Sequence, residues 1–258
     1  IAEYVARFIK EAGIMRDGFS FQAGAGGIAL AFVMYLKKFM KEANVKARFV
    51  RGGSTKYLVE LLEEGLTDYI LDGQTFDLDG VRSMGQNPHH VNTSPFTSYN
   101  YHGKGNFASM VDAVVLGATE IDVNFNANVV SHSDGLLLHG IGGWQDCLFS
   151  KCSILALPSF RDRIPVIVDR VTTLCGPSEL VDVIVTEKGI AINPRRKDLL
   201  RATKNSNLPI RPIKEIKKEV EQICGGAPTP PNLDKDHVVA AIQWVDGTII
   251  DVVYKVIG

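Results

Sequence analysis

Apolar and polar positions change period several times along the chain, and each change marks an element. Ile1, Val5, Phe8 and Ile9 recur at helical spacing, and Gly13 supplies a stop. A short strand over residues 19–22 runs into Gly24-Ala25-Gly26-Gly27, and an apolar helix continues to about Met40. Next come a strand at 46–50, a Gly52-Gly53-Ser54 turn and a helix over 55–64, with Ser54 or Thr55 as its N-cap. A strand at 69–71 ends in Asp72-Gly73. Strands alternating with helices in this way predict a mainly parallel sheet covered by helices.

Residues 85–106 break the pattern. They are rich in Asn, His, Ser, Pro, Tyr and Gly without a period, which reads as one long loop. A structureless stretch of ~20 residues in a compact domain is usually functional or mobile. Strands resume at 112–116, 120–125 and 129–130, followed by a Gly140–Gly143 turn and a short helix through Phe149. Further strands are expected at 154–157, 166–171 and 183–186, the last with a hairpin partner at 190–192. Helices near 196–202 and 213–224 precede the stiff connector Pro228-Thr229-Pro230-Pro231. The tail reads as a hairpin, 238–245 and 248–256 about an Asp246-Gly247 turn. The predicted fold is three-layer α/β with a mainly parallel sheet and an added C-terminal β-hairpin, and no internal repeat is visible.

Composition narrows the class. At 258 residues, 45% hydrophobic, the chain can bury one large core or two modest ones. A formal net charge of −1 argues against nucleic acid, whose phosphates call for clustered Lys and Arg. The basic groups at 195–197 and 214–218 are interrupted and read as solvated helix faces. No apolar run approaches the ~20 residues of a membrane span, and no secretory leader opens the chain, so a cytoplasmic protein is expected. Cys147, Cys152, Cys175 and Cys224 lack metal-ligand spacing and read as reduced thiols. Beginning on Ile1 rather than Met, the sequence reads as a piece of a longer chain.

Two glycine-rich turns are candidates for chemistry. Glycines between a strand and a helix start let backbone approach a ligand, and the helix N-terminus favours negative charge. Gly24-Ala25-Gly26-Gly27 lacks a full G-x-G-x-x-G, and close helix–sheet packing serves either turn alone as an explanation. The second turn is richer: His132-Ser133-Asp134-Gly135, then His139-Gly140-Ile141-Gly142-Gly143-Trp144-Gln145-Asp146. No H-x-x-x-H or cysteine pair makes it a zinc site, and no G-x-S-x-G elbow supports a serine hydrolase.

Three segments, in order over roughly 80 residues, carry a family resemblance. Residues 110–118, MVDAVVLGA, resemble the I-D-x-x-x-L-G-A strand of CoA-transferases. Residues 139–146 resemble their G-x-G-G-x-x-D turn, and 181–189, VDVIVTEKG, their V-D-x-I-I-T-E-K segment. Within that superfamily, 117–126 and 132–146 closely resemble the citrate lyase alpha subunits, and that likeness extends over nearly the whole chain. The resemblance implies the second, C-terminal CoA-transferase-like domain of a two-domain subunit, with the active site between the halves. It implies exchange of an acetyl thioester for a citryl thioester with release of acetate. It also implies an oligomeric complex with acyl carrier (gamma) and lyase (beta) subunits. No directly bound cofactor or metal is implied; the thiol is the CoA-like prosthetic group of the carrier, or CoA itself.

One departure shapes the expected mechanism. Many CoA-transferases carry a glutamate nucleophile in an S-E-N-G turn, where this chain has Val50-Arg51-Gly52-Gly53-Ser54. Direct attack by a citrate carboxylate, through a mixed anhydride, is therefore expected. Such a reaction needs oxyanion donors and cations that hold a tri-anion. Backbone N–H groups of Gly140, Gly142 and Gly143 are the candidate donors. Arg51, with Gly52, Gly53 and Ser54, is expected to bind citrate, its fork suiting carboxylates; a surface salt bridge is the other reading of Arg51. His89, His90, Asn92 and Ser94 are further substrate candidates, and Gly24, Gly26 and Gly27 are expected at the thioester or CoA. Rival readings are a sugar-phosphate-sensing module of related fold and a 3-oxoacid CoA-transferase, the latter disfavoured by the missing glutamate.

Overall fold

A computed structural model describes residues 1–24, 26–99 and 106–257. Helix α1 (Ala2–Glu11) buries Val5, Phe8 and Ile9 on one face. Strand β1 (Phe19–Ala23) leads to α2 (Gly27–Ala43), whose Phe32, Val33, Leu36 and Met40 form its buried stripe. Left-handed Asn44, at φ 50°, ends α2. Then follow β2 (Ala47–Ser54), α3 (Lys56–Glu63), β3 (Ile70–Thr75), α4 (Leu78–Gln86), β4 (His90–Asn92), the single turns α5 (Pro95–Tyr99) and α6 (Phe107–Met110), and β5 (Ala113–Leu116).

The second half is more broken. It comprises β6 (Glu120–Asp122), β7 (Ala127–Asn128), α7 (Trp144–Cys147), β8 (Ser153–Ala156), β9 (Phe160–Arg161), β10 (Ile164–Pro165) and β11 (Ile167–Val168). After these come β12 (Val183–Thr186), β13 (Gly189–Ile192), α8 (Lys197–Ala202), α9 (Ile213–Cys224) and the hairpin β14 (Leu233–Gln243) and β15 (Ile249–Val256).

The main sheet runs β13-β12-β8-β5-β1-β2-β3-β4, parallel throughout except for the β12–β13 hairpin. Strand alternation splits the core between its faces. Phe19, Phe21, Ala113, Ile154 and Val183 pack with α1, α2 and α3 on one side. Leu155, Ile184 and Ala191 pack on the other with α9, the small sheet β11-β6-β7 and the C-terminal hairpin. The three layers and the added hairpin match the predicted fold class, with a third layer that mixes strands and helix. No helix among the described residues is long and apolar enough to cross a membrane.

Several elements depart from expectation for local reasons. Residues 85–106 are not one loop: β4 pairs in parallel with β3 as the edge strand, and α5 follows. Thr93 fastens the end of β4, its N–H and Oγ1 both donating to the Asp72 carbonyl at 2.7 and 2.8 Å. The expected strand at 120–125 stops at Asp122, whose side chain accepts from the N–H groups of Asn124 and Asn126 and turns the chain. Phe125 there has φ 71°. Gly52-Gly53-Ser54 is not a turn but the end of β2, with a register shift against β3 between Gly52 and Gly53.

Candidate active site

The chain winds outward from β1 in both directions: β2, β3 and β4 lie to one side, and β5, β8 and β12 to the other. The reversal between β1 and β5 is a topological switch point, where the crevice beyond the strand ends accepts ligands. Two adjoining cavities open there. One, about 660 Å³, is bounded by Gln22 and Gly24 on β1 and its exit, Gly52 and Gly53 on β2, Gln74 at the end of β3 and Phe76 beyond it, His139, Ile141 and Gly143 on the facing loop, and Trp144 at the start of α7. The other, about 230 Å³, is lined by Gly24, Gly26 and Gly27, by Gly117 beyond β5, and by Pro158 and Arg161.

Two glycines shape this rim, Gly52 through its backbone and Gly53 through the ring packed on it. Gly52 has φ 115°, and a Cβ there would stand 2.5 Å from the Ala23 carbonyl oxygen. At Gly53 a Cβ would stand 1.7 Å from Phe76 Cε2, so the half-exposed ring lies directly on the glycine. Gly26 is the N-cap of α2, which sets that helix's N-terminus at the smaller cavity. The facing loop is anchored by Trp144, whose Nε1 donates to the Gly117 carbonyl at 2.8 Å. Gly142 has φ 57°, and among the described residues the N–H groups of Gly140, Gly142 and Gly143 donate to no protein acceptor.

A polar layer lies beneath the rim. Asp72, buried in β3, accepts from Ser54 Oγ at 2.7 Å, Thr75 Oγ1 at 2.6 Å and Gln74 N–H at 2.9 Å. His90 Nε2 stands 3.4 Å from Asp72 Oδ2, outside hydrogen-bond geometry, while its Nδ1 meets Ser83 Oγ at 2.9 Å. Burial pushes the Asp72 carboxyl up, but His90, Thr75, Ser54 and the Gln74 N–H together outweigh it and hold it at about 2. Arg51 is fully buried next to Gln22, and its Nη1 donates to the Ser98 carbonyl at 3.3 Å. Burial raises the Asp146 carboxyl above its ordinary range, against the opposing field of the Arg51 guanidinium.

The expected site residues therefore separate. Gly24, Gly26, Gly27, Gly52, Gly53 and Gly143 meet at the switch-point cavities. Gly140 and Gly142 lie on the facing loop, with Gly140 turned toward a groove against the C-terminal hairpin. Arg51 and Ser54 sit below the rim and do not line the cavities, so the solvent-exposed salt bridge once open to Arg51 is excluded by its burial. His89 is at the opposite end of the sheet, stacked on Tyr69 with its Nδ1 2.9 Å from the Asp68 carbonyl. His90 is buried under Asp72, Asn92 ends the edge strand, and Ser94 accepts from the Thr97 N–H at 3.3 Å at the start of α5. Gln22, Gln74, Phe76 and Arg161 were not singled out by sequence, since none belongs to a motif.

Among the described residues no group of three or more His, Cys, Asp or Glu could hold a metal ion. What the arrangement offers is backbone donors and conformational freedom at the rim, with buried charges behind it.

Comparison with known proteins finds relatives by sequence and by fold. The family model "Citrate lyase, alpha subunit (CitF)" matches residues 1–256. The citrate lyase alpha chains of Haemophilus influenzae and Klebsiella pneumoniae are each 38% identical over 99% of this chain. The chain spans about half the length of those curated relatives, 51% and 50%. A solved putative alpha subunit of citrate lyase from Streptococcus mutans, in complex with citrate, superposes with a TM-score of 0.96 at 41% identity, covering 100% of this chain and 50% of that one. A Pseudomonas malonate decarboxylase hetero-tetramer, at 16% identity and a TM-score of 0.58 over 89% of this chain and 57% of that one, shares the fold.

Proposed function

This chain belongs to the citrate lyase alpha subunit family, and on that premise we propose that its switch-point crevice performs acyl exchange. Citrate and an acetyl thioester become a citryl thioester and acetate. The chain is the second half of the subunit, working in the cytoplasm with carrier and lyase subunits, and the carrier's CoA-like thiol is the acyl donor.

The observation that carries this reading is the convergence of Gly24, Gly52, Gly53 and Gly143 on one cavity at the switch point. Small residues there leave room for a flat thioester group, and backbone N–H groups can face its carbonyl oxygen. A citrate carboxylate oxygen attacks the acetyl carbonyl carbon, the C–S bond breaks, and the thiolate leaves a mixed anhydride. That thiolate then attacks the citryl carbonyl, the anhydride C–O bond breaks, and acetate departs. Both steps build charge on a carbonyl oxygen, which pre-aimed donors stabilise. The N–H group of Gly143, at the cavity, leads in that role with those of Gly140 and Gly142 on the same loop behind it, and Gly24, Gly26 and Gly27 take the thioester. Arg161, exposed at the smaller cavity and without an ion pair among the described residues, supplies outward positive charge.

A direct route also agrees with the β2 terminus. Gly52 has no room for a side chain, so a nucleophilic glutamate cannot stand there. The test is citrate-dependent formation of citryl thioester by the complete subunit, given acetyl thioester. Formation is expected with both halves present; its absence there overturns the reading.

A further inference from the structure

Gln22 is a buried amide on the central strand of the switch point. It lies on β1, 5% exposed, and contributes to the wall of the larger cavity. Its side chain runs against Gly52, where a Cβ would meet Gln22 Cγ at 3.1 Å, so the glycine makes the space that the amide fills. One end of the carboxamide stands 2.8 Å from Cys147 Sγ. The other end, placed as Oε1, is buried with no hydrogen-bond partner among the described residues. A buried polar end without a partner costs free energy, so in a native fold it calls for an explanation.

The two ends of an amide are told apart by their hydrogen bonds. Burial pushes the Cys147 thiol up to about 11, against Arg51 and Gln22, so at neutral pH it is S–H and can donate. A donor at sulfur pairs with the amide oxygen, which leaves the NH2 group as the unpaired end of a side chain that lines the cavity. In either orientation one end of Gln22 is left unpaired among the described residues, and the thiol favours a donor at that end.

We infer that the Gln22 carboxamide contacts substrate, donating through its NH2 group to a carboxylate oxygen bound in the switch-point cavity. Cys147 is a positioning residue that sets which end of the amide faces out. This rests on the acyl-exchange reading and extends it, assigning carboxylate recognition to a neutral side chain on the central strand. Arg51, beside Gln22 in the register, adds a positive field behind the amide without reaching the cavity.

The test is steady-state acyl exchange by the complete subunit, with unfolding midpoints measured on each variant. Gln22→Met keeps volume and removes the amide; the KM for citrate should rise roughly 10- to 100-fold, the effect of losing one hydrogen bond to a charged group. The KM for acetyl thioester should stay within about twofold, and the midpoint should not fall. Cys147→Ala should raise the citrate KM, and Cys147→Ser, whose hydroxyl still donates to the amide oxygen, should restore it. An unchanged citrate KM in folded Gln22→Met enzyme overturns the inference, and so does a lowered midpoint with equal loss toward both substrates. If Gln22→Met fails to fold, the Cys147→Ala and Cys147→Ser pair decides by the same KM criterion. A wild-type subunit that makes no citryl thioester removes the acyl-exchange reading itself, and the inference falls with it.

Discussion

Asp72 accepts a 2.7 Å hydrogen bond from Ser54 Oγ, and through it strand β3 holds the end of β2 in place under the cavity. The same carboxylate takes Thr75 Oγ1 and the Gln74 N–H, so one buried charge organises both strand ends. Gly52 and Gly53 owe their positions at the rim to this contact as much as to their own lack of side chains.

Acid should release that anchor. The folded Asp72 carboxyl is held at about 2, below the ordinary 3.8, so its contribution is present above about pH 4 and is lost as the pH falls through about 2. The contribution is on the order of 2 kcal/mol. In urea unfolding, Asp72→Asn should be less stable than wild type by about that amount near pH 7, the gap narrowing toward about pH 2. A gap that stays constant across the range contradicts the assignment.

Gly52 and Gly53 should fail differently when a methyl group is added. Gly52→Ala forces an L side chain into φ 115° and against a backbone oxygen, so it should cost about 2–4 kcal/mol of stability. Gly53→Ala meets only the half-exposed Phe76 ring, which can swing aside into the cavity. Stability should hold within about 1 kcal/mol while turnover drops. Unfolding curves and exchange rates on the two variants separate these outcomes; equal stability losses would contradict them.

Much of this fold was legible in the sequence because its signals are local. The helical period of 2–11, the apolar stripe of α2, the β12–β13 hairpin and the Asp246-Gly247 turn each declare themselves within a dozen residues. The glycine turns at 24–27 and 140–143 were legible for the same reason, and of their residues Gly24 and Gly143 line one cavity while Gly140 and Gly142 do not. What was not legible depends on distant partners. Strand β4 exists because β3 offers it an edge and Thr93 reaches Asp72; nothing in 85–106 announces it. Arg51 beside two glycines looks like a surface carboxylate clamp, and only the eight-stranded topology shows it lying inside the sheet. Gln22 is one of two polar residues in β1, with Ser20, and nothing local marks it until α7 brings Cys147 against it.

The facing loop should act through its backbone. Gly142, at φ 57° with open space where a Cβ would point, tolerates a side chain sterically but not conformationally. Gly142→Val should re-aim the neighbouring N–H groups and lower turnover by ~10²–10³, the scale for losing an oxyanion donor, with the fold intact. Near-normal turnover in a folded variant would remove this loop from the mechanism.

Arg51 should register in stability before it registers in substrate affinity. Arg51→Lys keeps a charge but loses the planar fork inside the sheet, and should cost about 1–3 kcal/mol in unfolding. Because Arg51 does not line the cavities, the citrate KM should change far less than it does in Gln22→Met. A large citrate effect with no loss of stability would reverse that order.

The central claim is exchange by direct carboxylate attack, with no acyl or thiol group carried on the protein. The decisive measurement incubates the complete subunit with acetyl thioester alone, reduces it with borohydride, and searches for a modified glutamate by mass spectrometry. The account predicts no modified residue, together with sequential kinetics that require citrate and thioester bound at once. A reduced glutamate whose appearance tracks loss of activity would contradict it.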